Sequence, residues 1–129
     1  MISQIPKGIY NLSMKGFSYY FCHECGSVVV ASGNSSISCC SHTLSPLVLR
    51  EAESGLSVMR EGDEILVSSE CPMTKEDFIA FVAFENWSGY TLKLFYPEWE
   101  LHTSFAYAGK GRLVWYSTEK GAFFQKIDC

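Results

Sequence analysis

The chain has 129 residues, of which 47% are apolar and 19% charged, with a formal net charge of −4. That length suits one ordinary domain, or a small metal-stapled module plus a compact domain, and the apolar content excludes a disordered chain. No basic stripe exists to neutralise phosphates, which argues against a nucleic-acid surface, and the longest apolar run, Phe78 to Phe84, is too short to span a bilayer.

The opening Met1-Ile2-Ser3-Gln4-Ile5-Pro6-Lys7 lacks the charged start and apolar stretch of a signal peptide, so the expected compartment is cytoplasmic. Phe17-Ser18-Tyr19-Tyr20-Phe21 reads as a short aromatic strand that runs into Cys22-His23-Glu24-Cys25. Ser27 to Ala31 reads as a second strand, Ser32-Gly33-Asn34-Ser35-Ser36 as a turn, and Ile37-Ser38 as the lead into Cys39-Cys40. These segments predict one small hairpin whose two ends carry the sulfurs.

Pro46-Leu47 marks the exit from this module, and the polar, Gly-containing stretch 49–56 reads as a linker. Leu56 to Arg60 and Ile65 to Val67 then flank Glu61-Gly62-Asp63-Glu64 in a hairpin pattern. Phe78 to Phe84 has helical propensity. Its β-branched and aromatic content, the turn Asn86-Trp87-Ser88-Gly89 and the alternation of Tyr90 to Tyr96 favour a second hairpin. Thr103 to Tyr107 and Leu113 to Tyr116 around Gly109-Lys110-Gly111 predict a third, and Ala122 to Ile127 a last strand. Seven or so short strands at this spacing predict an all-β chain ending in a β-sandwich.

The cysteines carry the chemistry. A Cys-x-x-Cys turn sets two thiolates one ligand spacing apart, and a second pair downstream can complete a tetrahedron around iron or zinc. Adjacent cysteines are an unusual second half, because holding both sulfurs on one ion distorts the S–metal–S angles. Six cysteines would also allow three disulfides. A reducing compartment, and the strain of bridging Cys39 to Cys40, favour the metal. Cys22, Cys25, Cys39 and Cys40 are therefore the expected ligands. Cys129 reads as a tail thiol, and His23, His42 and His102 as surface or packing residues. Trp87 and Trp99 fall in turn-like segments where they can mark a partner surface.

Cys22-x-x-Cys25-Gly26 followed by Cys39-Cys40 resembles the desulforedoxin-type module at the N-terminus of desulfoferrodoxins. The remainder resembles the superoxide reductase domain that follows it there. Cys71-Pro72-Met73-Thr74-Lys75-Glu76-Asp77 sits where that family has His-Pro-Met-x-x-x-His, and Tyr116-Ser117-Thr118-Glu119-Lys120-Gly121 where it has Tyr-Cys-Asn-x-His-Gly. The resemblance implies a desulforedoxin-like module over 1–48 and an immunoglobulin-like, superoxide reductase-like sandwich over 49–129.

The family's catalytic iron needs four imidazoles and one thiolate. Carried over residue by residue, those positions hold Cys71, Asp77, Ser117 and Lys120, with the remaining histidine falling near Gly55. The resemblance thus implies one iron or zinc ion in the four-cysteine site and a degenerate second site. The expected protein is a metal-binding homodimer, leaning away from an enzyme, with one-electron transfer or redox sensing through a partner protein and no nucleic acid or membrane. Two alternatives stand beside it: a superoxide reductase with altered ligands, and a metal-dependent interaction module similar to the C-terminal parts of some bacterial helix-turn-helix regulators. Zinc would leave the site purely structural.

Overall fold

The computed structural model describes residues 17–32, 36–53, 55–107 and 109–127. The Gly33-Asn34-Ser35 part of the expected turn, the opening residues and Cys129 lie outside them. The described residues contain strands and turns, in agreement with the all-β expectation, and no helix long and apolar enough to cross a membrane. The chain divides into two compact units, Met1–Leu47 and Val48–Cys129.

In the first unit, β1 (Phe17–Phe21) pairs antiparallel with β2 (Val28–Ser32), and β3 (Ile37–Cys39) pairs with β4 (His42–Leu44). This corrects the expectation of one hairpin with sulfurs at its two ends. Each sulfur pair instead closes a hairpin of its own. The physical reason is turn geometry. Cys40 and Ser41 both take positive φ, 53° and 66°, which is what a two-residue type I′ hairpin demands. Nothing in the residue types of Cys-Ser announces such a turn, which is normally signalled by Asn-Gly. His42, expected as a surface or packing residue, is exposed and opens β4.

In the second unit, β5 (Leu49–Glu51), β12 (Gly121–Ile127), β11 (Gly111–Ser117), β8 (Ile79–Asn86) and β9 (Gly89–Leu94) form a five-stranded sheet in that order. A three-stranded sheet runs β10 (His102–Ala106), β7 (Glu64–Ser68), β6 (Ser57–Glu61). Two expectations change here. Part of the supposed linker is strand β5, held parallel against β12. The third hairpin does not form, because β10 pairs with β7 in one sheet while β11 pairs with β8 and β12 in the other.

The two sheets share one buried core: Ile65, Val67 and Phe105 from the smaller, and Val82, Phe84, Leu113, Trp115 and Ile127 from the larger. Burying each such side chain contributes about 1.5–3 kcal/mol. The other face of β8 and β11, with Phe81, Ala83, Val114 and Tyr116, is buried as well. A strand buried on both faces needs an unbroken apolar run, which explains why Phe78 to Phe84 does not alternate.

Glu85 ends that run and is 1% exposed. It lies directly across the ladder from Arg112, whose Nε donates to its Oε1 at 2.6 Å. The Arg112 guanidinium also lies 5.3 Å from the Phe124 ring centre. A buried pair of this kind is tolerated only while both partners remain. Glu85→Ala is expected to cost roughly 3–5 kcal/mol in chemical denaturation, and Glu85→Leu with Arg112→Leu to recover most of that loss.

Candidate metal centre

Cys22-His23-Glu24-Cys25-Gly26 forms the β1–β2 turn. The Cys22 carbonyl accepts from Gly26 N–H at 2.7 Å, and Cys22 N–H donates to the Ser27 carbonyl at 2.9 Å. Gly26 sits at φ +76°, where a side chain would cost about 1–2 kcal/mol. That turn aims the Cys22 and Cys25 sulfurs to one side.

The vicinal pair reaches the same point through backbone strain. Neighbouring strand residues point to opposite faces, so Cys39 and Cys40 in a continuing strand would diverge. The left-handed conformation of Cys40 swings its sulfur back, and the Cys39 and Cys40 sulfurs stand 3.9 Å apart. Left-handed backbone at a non-glycine residue marks functional sites when its surroundings hold it there.

All four sulfurs lie within 4.8 Å of one another, and Cys25 and Cys39 approach to 3.5 Å. A tetrahedron of thiolates with metal–sulfur bonds near 2.3 Å has edges of about 3.8 Å. The spacing fits a single closed ion and the four cysteines are free thiols, so they could hold a metal ion.

The electrostatics agree. Hydrogen bonds from the Ser27 hydroxyl and Ser27 backbone hold Cys25 down to about 6. The adjacent Cys25 and Cys22 sulfurs push Cys39 up to about 12 and raise Cys40 too. One thiolate forms readily, and its charge opposes the next unless a cation sits among them. Cys22 is buried and Cys39 half-buried, while Cys25 and Cys40 are exposed, so an ion here would be shielded on one side and reachable on the other. Glu24 and His42 join the two turns by an exposed ion pair of 3.1 Å. His23 packs edge-on against Phe21 at 5.1 Å.

The second candidate site lies in the sandwich. Residues 71–77 form a tight loop, with Met73 at φ 55° and reciprocal backbone bonds between Thr74 and Asp77 of 3.0 and 3.2 Å. The buried Met73 sulfur accepts Ile79 N–H at 3.4 Å. Across from this loop, the β8–β11 register shifts between Tyr116 and Ser117. A bulge of this kind re-aims a side chain, here at the end of β11 that carries Ser117.

Cys71, Asp77, Ser117 and Lys120 do line one cavity, together with Gly55. All four are linked to one another. The Ser117 hydroxyl donates to Asp77 Oδ1 at 3.2 Å and accepts Lys120 N–H at 3.1 Å, and the Cys71 thiol lies 3.8 Å from the same carboxylate oxygen. Burial pushes the Cys71 thiol up, favouring its neutral form.

Gly55 shows why no side chain reaches in at the fifth position. A Cβ there would stand 2.0 Å from Gln125 Oε1, and that oxygen accepts Leu56 N–H at 2.8 Å while Nε2 donates to the Leu56 carbonyl at 3.3 Å. The sequence patterns did not single out Arg50 as a pocket residue or Gln125 as the residue that braces Leu56 beside it. Arg50 became visible only with its strand, β5, and Gln125 through its partner Leu56, far away in sequence.

No protein-family model matches the chain, and no curated protein matches it in sequence. Among solved structures, the superoxide reductase from Treponema pallidum matches with a TM-score of 0.71 at 21% identity, over 84% of this chain and 96% of that one. The superoxide reductase from Nanoarchaeum equitans overlaps more loosely, with a TM-score of 0.41 at 16% identity, over 64% of this chain and all of that one. The chain has the superoxide reductase fold, and its four-cysteine cluster matches the desulforedoxin-like arrangement that the sequence resembles.

Gly55→Ala is expected to drive the Gln125 amide off Leu56 and cost roughly 1–3 kcal/mol. Gln125→Ala should cost a similar amount, and the double variant no more than either alone, in a denaturation double-mutant cycle.

Proposed function

We propose that the protein is a metal-binding member of the desulfoferrodoxin type that holds one iron or zinc ion on Cys22, Cys25, Cys39 and Cys40. The convergence of four sulfurs within 4.8 Å supports it most directly, because it is reached through a strained Cys40 backbone that thiols alone would not require.

The four residues act as a closed set of thiolates. They neutralise the charge of a divalent or trivalent ion, leave no coordination position for water, and tie the two hairpin turns together. Iron at this site would supply a one-electron couple, whereas zinc would supply only the tie. Exposure of Cys25 and Cys40 favours the electron-carrier or redox-sensing form, since a partner protein can come close to those sulfurs. Within this proposal the protein works as a cytoplasmic homodimer with a redox partner, without nucleic acid or membrane.

The superoxide reductase centre is read as degenerate. Cys71, Asp77, Ser117 and Lys120 offer one neutral thiol, one carboxylate, a hydroxyl and an ammonium in place of imidazoles and a thiolate. The Ser117 hydroxyl is spent on Asp77 Oδ1 and the Lys120 backbone N–H, and the Cys71 thiol lies against the same Asp77 oxygen.

Elemental analysis of purified protein should give a single iron or zinc per chain, with a visible thiolate-to-iron absorption band if the ion is iron. Cys40→Ser should lower the metal content well below one ion per chain, whereas Cys71→Ser should leave it unchanged. Superoxide consumption by the reduced protein together with a second ion per chain would establish the altered-ligand enzyme instead. Metal-dependent capture of a partner by a colourless zinc form would favour the interaction module.

A further inference from the structure

The cavity beside the degenerate centre holds about 700 Å³, within the range of small-molecule sites. Charges of both signs line it. Arg50 and Lys120 supply two cations, and Glu51, Glu53, Glu70 and Asp77 supply carboxylates. Among the described residues, no ion pair joins either cation to any of these acids.

The two cations come from distant parts of the chain yet are fastened together. Arg50 Nη2 donates to the Lys120 carbonyl at 2.8 Å, and the guanidinium lies 5.0 Å from the Phe123 ring centre. This leaves most of the Arg50 donors, and the whole Lys120 ammonium, available to an oxyanion. Leu56, Ile79, Trp115 and Phe123 give the same cavity an apolar wall. Charges of both signs on one cavity wall complement a ligand that carries both signs better than one that carries a single charge.

We propose that this cavity binds a small zwitterion of the α-amino acid class. Its carboxylate lies toward Arg50 and Lys120, its ammonium toward the acidic residues, and an apolar side chain along the Trp115 and Phe123 wall. The site is independent of the four-cysteine centre. It makes the degenerate centre a ligand pocket in which fixed charges take the place of an ion.

The test uses the full chain as purified and calorimetric titration with L-leucine and L-phenylalanine, with 3-phenylpropionate and phenethylamine as analogues lacking one charge each. NMR shifts of Trp115 and Ser117 locate the binding. At least one amino acid should bind saturably and move those signals. Each single-charge analogue should bind at least about tenfold more weakly than phenylalanine, because it leaves charged groups unpaired. Lys120→Met and Arg50→Met should each weaken binding at least about tenfold. The Lys120 side chain makes no described hydrogen bond or ion pair, so that variant tests binding without disturbing the fold. Absence of saturable binding by either amino acid overturns the proposal. So does equal binding of 3-phenylpropionate, or binding that survives both substitutions.

Discussion

Four thiols cannot crowd into one small volume without a reason to stay there. Hydrogen bonding to the Cys25 sulfur, and then to that of Cys22, holds Cys39 and Cys40 toward their neutral form, and a cation among the sulfurs would favour the thiolates instead. The two hairpin turns of the first unit are built around that requirement. One uses Gly26 at positive φ to close Cys22 to Cys25, and the other forces Cys40 and Ser41 into left-handed backbone so that neighbouring sulfurs converge. A module this small has too little core to stabilise itself by burial alone. A metal ion held between the two turns would therefore also support the fold.

The sandwich has the fold of a superoxide reductase, and Cys71, Asp77, Ser117 and Lys120 in its cavity are linked by hydrogen bonds. Asp77 collects the Ser117 hydroxyl and approaches the Cys71 thiol, and Gln125 fills the space beside Gly55. No buried side-chain nitrogen or oxygen among the described residues lacks a hydrogen-bond partner. Asp77 Oδ1 and the Ser117 hydroxyl are both engaged with neighbouring protein groups.

Much of this was legible in the residues because it depends on local chemistry. Alternation and turn residues placed the hairpins β6–β7 and β8–β9. The Cys-x-x-Cys-Gly pattern and the Cys39-Cys40 pair marked the sulfur centre. What escaped was long-range. Strand β5 has only three residues and earns its place by pairing parallel with β12, seventy-odd residues on. The partition of β10 and β11 into different sheets is a tertiary choice that a Gly-Lys-Gly turn does not encode. The sulfur hairpins were misread because Cys-Ser is a poor type I′ sequence, and only the demand for sulfur convergence makes it one. Arg50 lines the pocket, and Gln125 braces Leu56 beside it, through contacts with residues far away in the chain, which no local pattern reveals.

The most direct check is anomalous scattering from crystals at the iron and zinc absorption edges. One peak among Cys22, Cys25, Cys39 and Cys40, with none between Cys71, Asp77, Ser117 and Lys120, is the expected result. No peak at the four sulfurs, or a well-occupied ion in the sandwich, would contradict it.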